Sequence, residues 1–150
     1  MDSRIAWEVL TDYNHLAEFV PDMRVSRIIS APGEPLLLEQ KGEAGFLVFH
    51  FPIEVLLQVE ERPQDWLRFT LVRGNMKGMR GEWRIEKLGE GTRVTYDAEL
   101  MPNFWVPPLI GPHIVRRNVR NQLEGVVREM LQRADAKKTN RTRQLHDTNP

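Results

Sequence analysis

Residues 47–59, with the sequence LVFHFPIEVLLQV, decide the fold class of this chain. Apolar side chains occupy every second position of the segment, and His50, Glu54 and Gln58 lie between them. A period of two is typical of a β-strand that buries one face in a core and exposes the other. Pro52 has no N–H to donate to a neighbouring strand, so we expect a bend or a bulge at that position.

Further strand-like runs lie on both sides of this segment. They cover residues 24–30, 36–43, 66–73, 79–86 and 94–100. Turn signals separate them, the clearest being the hairpin signal Gly89-Glu90-Gly91. Consecutive strands with such short connections predict an antiparallel meander of about six strands.

Helical spacing marks the two ends of the chain. Ser3 can cap a short helix over residues 4–11, and Asn14 can cap a second short helix. Pro112 suits the first turn of a long C-terminal helix that is expected to end near Ala136. The apolar stripe of this helix comprises Val115, Val119, Leu123, Val126, Met130 and Ala134, widened by Val127 and Leu131.

These elements predict one α+β domain over residues 1–136. The meander has an apolar face that must be covered, and the C-terminal helix, roughly 36 Å long, is the only element large enough. We therefore expect a curved antiparallel sheet around this helix, with the two short helices closing one end. From Lys137 onward the chain is polar and aperiodic, which predicts a disordered basic tail over residues 137–150.

Two glycines bear on the space between the sheet and the helix. Gly81 shares the apolar face of its strand and removes a side chain where a ligand or the helix can approach. Gly125 lies within the long helix, where it allows close packing or a bend. We expect an apolar, ligand-sized cavity here, unless the large inward side chains fill that volume.

Composition excludes several kinds of site. The chain has no cysteine, and its four histidines are scattered without metal-ligand spacing, so neither a metal nor a cofactor is expected. It contains no nucleophile elbow and no phosphate-binding loop. No signal peptide and no membrane-spanning stretch is visible in the sequence, which predicts a cytoplasmic protein.

Charges are balanced overall but unevenly placed. Residues 1–111 carry 12 basic and 17 acidic side chains, a net charge of −5, and residues 112–150 carry 9 basic and 4 acidic, a net charge of +5. The simplest interpretation is a solvated helix face followed by a basic tail. Contact with a ribosome or an anionic membrane is the alternative, and no DNA contact is expected.

Acid–base catalysis inside an apolar pocket would need buried polar groups with shifted pKa values. By alternation, His50, Glu54 and Arg84 point away from the apolar face, and Tyr96 points toward it. Tyr96 is therefore the one weak catalytic candidate, although a core tyrosine with a satisfied hydroxyl is the plainer interpretation. Since no convincing catalytic pair is found, binding is favoured over catalysis, and an enzymatic role stays open.

Several segments resemble one known superfamily. They are WEVLTDY at residues 7–13, LAEFVP at 16–21, MRGEWRI at 79–85, GTRVTY at 91–96 and the Pro-rich segment before the last helix. Over residues 5–134 the chain is similar to the START/Bet v 1-like (SRPBCC) superfamily, closest to its polyketide cyclase/dehydrase and coenzyme Q-binding branch. The resemblance implies a helix-grip fold, in which seven antiparallel strands grip a C-terminal helix. Only six residues precede Trp7, so we expect either a chain that starts late or a sheet of six strands with an open edge.

The resemblance favours a carrier of a hydrophobic small molecule, either a lipid or a polyprenyl quinone. The alternatives are a polyketide cyclase or aromatase and a ribosome- or protein-interaction module. Residues 104–109, FWVPPL, are interpreted as a hydrophobic lid, or as a pocket mouth or a membrane-contacting loop. The candidate ligand-binding residues are Phe19, Phe51, Phe69, Met79, Gly81, Trp83, Tyr96, Phe104, Trp105, Leu109, Leu123, Val127 and Met130.

Overall fold

The computed structural model describes residues 1–46 and 49–147, so Leu47 of the alternating segment lies outside the described residues. The chain begins with α1 (Ser3–Leu10), a single 3-10 turn (Tyr13–His15) and α2 (Leu16–Phe19). The strands are β1 (Met23–Ile28), β2 (Leu36–Phe46), β3 (Phe49–Arg62), β4 (Trp66–Gly74), β5 (Met76–Leu88) and β6 (Gly91–Pro102). An irregular segment over residues 103–110 leads to the long helix α3 (Gly111–Asp147).

The six strands form one antiparallel sheet in chain order, with β1 at one edge and β6 at the other. The predicted α+β fold, a meander with a long C-terminal helix and short N-terminal helices, is therefore confirmed. Alternation sets the two faces of the sheet. In β4, for example, Leu67 and Phe69 are buried, whereas Arg68 and Thr70 are exposed.

A bend or a bulge was predicted at Pro52, and no bulge is present: the register of β3 with β2 is unbroken there. On the other side, the pairing of β3 with β4 ends at Val55 and Gly74, so no strand requires an N–H from the proline. The Asn75 side chain occupies this side and donates from Nδ2 to the Pro52 carbonyl at 2.6 Å.

Two predicted helix caps are replaced by other arrangements. Asp2, rather than Ser3, caps α1, and its carboxylate accepts the Arg4 N–H at 2.9 Å. The Asn14 side chain accepts the Ile28 N–H at 2.9 Å, so it joins the 3-10 turn to β1 instead of capping α2. Asp, Asn and Ser are almost equally good caps, so their positions in the sequence alone could not decide between neighbours.

Helix α3 runs to Asp147, beyond the end predicted near Ala136. Residues 137–147 contain no Gly and no Pro, and their Lys, Arg, Gln and Leu residues are good helix formers. Lys137 also reaches α1, with its Nζ 3.4 Å from Oε2 of Glu8. The segment predicted to be disordered is thus helical as far as Asp147, and a domain boundary at residue 136 stays a prediction.

The middle of α3 enters the core. Val126 and Met130 are buried, whereas Leu131, which was predicted to widen the apolar stripe, is 54% exposed. Gly125 faces the end of α2, where an added Cβ would lie 2.6 Å from the Phe19 carbonyl oxygen. Of the two roles predicted for this glycine, the structure shows close packing.

Candidate functional site

Three neighbouring cavities lie between the sheet and α3. The outer pocket, of about 630 Å³, opens where residues 103–110 meet the start of α3. A middle cavity of about 40 Å³ and an inner cavity of about 50 Å³ continue into the domain. Asn118 lines both the outer and the middle cavity, and Met79 and Gln122 line both the middle and the inner one. Most of the open volume therefore lies at one end of the grip.

Apolar side chains form most of the wall of the outer pocket. Phe51 of β3 and Phe104 stack with their ring centroids 5.1 Å apart and their planes at 16°. On the α3 side, Ile114 is buried and Val115 is half-buried. Arg116 is the one charged residue among the described residues that line this pocket. The remaining lining residues are Ala44, Ile53, Met76, Leu100, Pro102, Val106, Gly111, Pro112, Asn118 and Val119.

Aromatic side chains fill much of the inner region. Trp83 and Tyr96 stack with ring centroids 4.2 Å apart, and the Phe69 ring lies 6.3 Å from that of Tyr96. Phe69 stands opposite Gly81 in the sheet, and a Cβ on Gly81 would lie 2.4 Å from its Cζ atom. Gly81 therefore makes room for the Phe69 ring, and not for a ligand or the helix as the sequence suggested.

A short chain of polar groups runs along this interior. The Tyr96 hydroxyl donates to Oε1 of Gln122 at 3.1 Å, and Nε2 of Gln122 donates to Oδ1 of Asn118 at 3.3 Å. Burial raises the pKa of the Tyr96 hydroxyl well above its usual range, so the phenol stays protonated and serves as a hydrogen-bond donor. These groups can hold a polar end of a ligand or supply a hydrogen bond to a carbonyl.

A second tyrosine lines the inner cavity. The Tyr13 hydroxyl donates to the Glu61 carboxylate. Burial, together with this hydrogen bond, raises the pKa of the Tyr13 hydroxyl well above its usual range. Tyr13 therefore also stays protonated, with its hydroxyl already engaged by a carboxylate. No sequence pattern indicates this pair, because 48 residues separate its members.

The candidate residues named from the sequence fall into three groups. Phe51 and Phe104 line the outer pocket, and Phe69, Met79, Trp83 and Tyr96 line the inner cavity. Trp105 and Leu109 are exposed, at 77% and 87%, and line none of the three cavities. Gly81 is covered by Phe69, and the remaining candidates lie outside the three cavity walls: Phe19, Leu123, Val127 and Met130.

Sequence reasoning missed several wall residues. Asn118 and Gln122 could have been noticed, because two amides spaced i and i+4 interrupt the side of α3 that carries Val115 and Val119. Ala44 and Ile114 carried no such signal. Among residues 1–46 and 49–147, no acidic or histidine cluster suited to a metal ion and no helix able to span a bilayer is found.

The sequence profile of a family described as polyketide cyclase/dehydrase and lipid transport matches residues 4–133, most of the chain. The chain belongs to this family. The resemblance to the START/Bet v 1-like superfamily is thereby confirmed. The polyketide cyclase/dehydrase and lipid transport family includes both lipid-transport proteins and polyketide cyclases, so membership leaves both classes of function open. A search of curated protein sequences gave no significant match.

Solved structures agree with the family in fold. The Zhui aromatase/cyclase from Streptomyces sp. R1128 gives a TM-score of 0.72 at 15% identity over 88% of both chains. A START superfamily protein from Mycobacterium smegmatis gives 0.67 at 17% identity, over 89% of this chain and 90% of that one. A STAR-related lipid transfer protein from Xanthomonas axonopodis gives 0.62 at 16%, over 85% and 78%. At these identities the likeness shows the helix-grip fold alone.

Proposed function

We propose that the protein binds a hydrophobic small molecule, a lipid or a polyprenyl quinone of the coenzyme Q type, in the outer pocket. The observation that carries this proposal is the outer pocket itself, an apolar space of about 630 Å³ that is open at one end. Pockets for small ligands typically measure about 300–1,000 Å³ and are lined mainly by hydrophobic and aromatic side chains, with a few polar groups.

Burial of apolar surface would supply the affinity. A ligand that buries about 300 Å² of apolar surface gains roughly 7 kcal/mol before the entropic costs of binding are subtracted. Asn118 lines both the outer pocket and the middle cavity, so its amide can hydrogen-bond a polar head group at the inner end of the outer pocket. The lipid transfer protein among the related structures supports a ligand of this class.

A pocket-filling substitution tests the proposal. Val115→Trp places an indole in the outer pocket, and it should weaken binding of cis-parinaric acid, a fluorescent fatty acid, by about tenfold or more. Leu131→Trp is the control, because Leu131 lies on the same helix, is 54% exposed and lines none of the three cavities.

Equal binding by the Val115→Trp variant and the wild type would contradict the proposal. So would a wild-type protein that binds neither parinaric acid nor a short-chain quinone and yields no apolar molecule on extraction and mass spectrometry. The circular dichroism spectra of both variants should match that of the wild type, which separates lost binding from misfolding.

A cyclase or aromatase is the second candidate, favoured by the Tyr96 hydroxyl, a hydrogen-bond donor in the wall of the inner cavity. The inner cavity holds only about 50 Å³, so a polyketide reaches Tyr96 only if neighbouring side chains such as Met79 move. Tyr96→Phe should then lower turnover of a poly-β-ketone substrate and leave the fold intact. Unchanged turnover would remove Tyr96 from the reaction.

Two further proposals concern the setting of the protein. We place it in the cytoplasm, and we propose ribosome contact through the basic end of α3 only as an alternative to ligand binding. Salt-sensitive co-sedimentation with ribosomes, lost on deletion of residues 137–150, would support the alternative. Co-sedimentation that survives this deletion would count against a role for that end of α3.

A further inference from the structure

The segment between β6 and α3 presents its side chains in two directions. Phe104 and Val106 line the outer pocket. Trp105, between them, is 77% exposed, and Leu109 is 87% exposed. Met101, at the end of β6, is 57% exposed. Large apolar side chains in solvent at the rim of an apolar pocket are typical of an interaction surface.

Backbone hydrogen bonds hold this segment at both ends. The Asn103 N–H donates to the Asn75 carbonyl at 3.3 Å, next to the β4–β5 connection. The N–H groups of Ile110 and Gly111 both donate to the Pro107 carbonyl, at 3.0 and 3.1 Å. Pro107 and Pro108 further restrict the backbone. Trp105 and Leu109 are therefore presented to solvent by a constrained turn.

Basic residues follow this segment along the chain, at the start of α3. Residues 101–123 contain three arginines, at positions 116, 117 and 120, and no Asp or Glu. All three are exposed, and none takes part in an ion pair within residues 1–46 and 49–147. Lys77 is also exposed, at the register shift where β5 pairs with Met101 of β6. Exposed apolar side chains in the segment before α3 are thus followed by exposed basic side chains in its first turns, and Arg116 among them lines the outer pocket.

We define the mouth surface as Met101, Trp105, Leu109, Lys77, Arg117 and Arg120. We propose that the mouth surface docks on an anionic lipid bilayer, with Trp105 and Leu109 in the interfacial layer and the basic side chains against the head groups. Tryptophan is enriched at membrane interfaces. Basic side chains are attracted to the head groups of an anionic leaflet over about one Debye length.

This inference rests on the proposed function, because docking would bring the opening of the outer pocket to a source of apolar ligand. A second copy of the chain fits the mouth surface less well. Two such surfaces would place Lys77, Arg117 and Arg120 of one chain against the same residues of the other, with no acidic side chain in residues 101–123 to compensate. An anionic bilayer supplies the opposite charge.

Vesicle co-sedimentation tests the docking. The wild type should bind phosphatidylcholine vesicles that contain about one third phosphatidylglycerol, and it should bind vesicles of phosphatidylcholine alone much less. Binding to the anionic vesicles should be lost as the salt concentration rises from about 0.05 to 0.5 M. Arg117→Gln/Arg120→Gln should lower the partition coefficient by roughly 25-fold at low salt, at about fivefold per charge. Trp105→Ala/Leu109→Ala should lower it by about tenfold or more on the same vesicles.

The matched controls lie at the far end of α3. Lys138→Gln/Arg141→Gln removes two exposed charges, Leu145→Ala removes a side chain that is 68% exposed, and both variants should bind vesicles like the wild type. The Arg117→Gln/Arg120→Gln variant should keep the parinaric acid affinity of the wild type, since neither arginine lines a cavity. This readout separates loss of docking from failure of the proposed ligand pocket.

Three results would overturn the docking proposal. One is a wild type that does not bind anionic vesicles at low salt. Another is equal loss of binding in the mouth-surface variants and in the controls at the far end of α3. The third is a wild type that forms a dimer by light scattering, with Trp105→Ala/Leu109→Ala monomeric, because a second copy would then cover the surface.

Discussion

Gly125 sets how closely α3 approaches the end of α2. An added Cβ would lie 2.6 Å both from the Phe19 carbonyl oxygen and from Cδ of Pro21. Gly125→Ala should lower the free energy of unfolding by about 1–3 kcal/mol, because overpacking outweighs the gain of about 1 kcal/mol in helix propensity. Urea denaturation measures the effect.

Gly111 provides the matched control on the same helix. A Cβ at Gly111 would have the Cγ1 atom of Val106 as its nearest neighbour, at an ordinary 3.6 Å. Gly111→Ala should therefore leave stability unchanged or raise it. If Gly125→Ala were as stable as Gly111→Ala, close packing at the α2 contact would not be what selects glycine at position 125.

Residue-scale roles were the hardest to predict from the sequence. The pattern placed Gly81, Phe69 and Tyr96 on the inner face of the sheet, and all three belong to the interior. It could not show that Phe69 stands opposite Gly81, because cross-strand register depends on turn lengths and on shifts such as the one between Leu56 and Leu57. The empty space expected at Gly81 is consequently filled.

At the scale of elements, Asp12 joins the segment after α1 to α3. Its Oδ2 atom lies 2.7 Å from Nη2 of Arg133, and its Oδ1 atom lies 2.6 Å from Nδ1 of His15. Arg133 also pairs with Glu129 at 3.0 Å. Burial disfavours the charged form of Asp12, but the hydrogen bonds from Arg133 and His15 outweigh it and hold the pKa of the Asp12 carboxyl below its usual range.

Asp12→Asn should lower the free energy of unfolding by about 1–2 kcal/mol near neutral pH, since both partners are only partly exposed. Asp12 contributes fully to the free energy of unfolding above the pKa that its carboxyl has in the unfolded chain, about 3.9. This contribution is lost as the pH falls through the lower pKa that the carboxyl has in the folded protein. The hydrogen bond to Asp12 raises the pKa of His15 in the folded protein. The interaction of Asp12 with His15 therefore stabilises the fold fully below the pKa of an unfolded histidine, about 6.5, and this stabilisation is lost as the pH rises through the higher pKa of folded His15.

The stability gap between the wild type and Asp12→Asn should therefore be widest near about pH 5–6 and shrink on both sides. Thermal melts across this range measure it. Asp135→Asn, at an exposed position on α3, is the control and should show a small gap that does not depend on the pH. A gap for Asp12→Asn that keeps widening toward low pH would contradict the assigned sign.

Strand β6 pairs with β5 alone in the described sheet, so its outer edge presents unpaired backbone groups. Asp97 and Glu99 are exposed on this strand, and charged side chains discourage edge-to-edge pairing. Asp97→Val/Glu99→Val should therefore show concentration-dependent association by light scattering. Glu54→Val/Glu60→Val, on the interior strand β3, should stay monomeric, and a monomeric edge variant at every concentration would refute the protective role.

At the scale of the whole molecule, most of the fold followed from periodicity. Alternation located β3 to β6, because a half-buried sheet imposes a period of two on the sequence, and β-rich runs between turn signals located β1 and β2. Helix α3 extends beyond its predicted end because residues 137–147 are good helix formers, although they lack the apolar stripe on which that prediction rests. The sequence predicts Phe51 and Phe104 in the wall of the outer pocket, but not Ala44 and Ile114. Those two residues meet in one wall only when the sheet, the 103–110 segment and α3 come together.

The central claim is that a hydrophobic small molecule binds in the outer pocket, and photo-crosslinking tests it most directly. A palmitate analogue with a diazirine in its chain should label peptides that carry Phe51, Phe104 or Val115, all of which line this pocket. Unlabelled palmitate should compete with the labelling, and Val115→Trp should abolish it. Saturable labelling confined to peptides outside the outer pocket would contradict the claim.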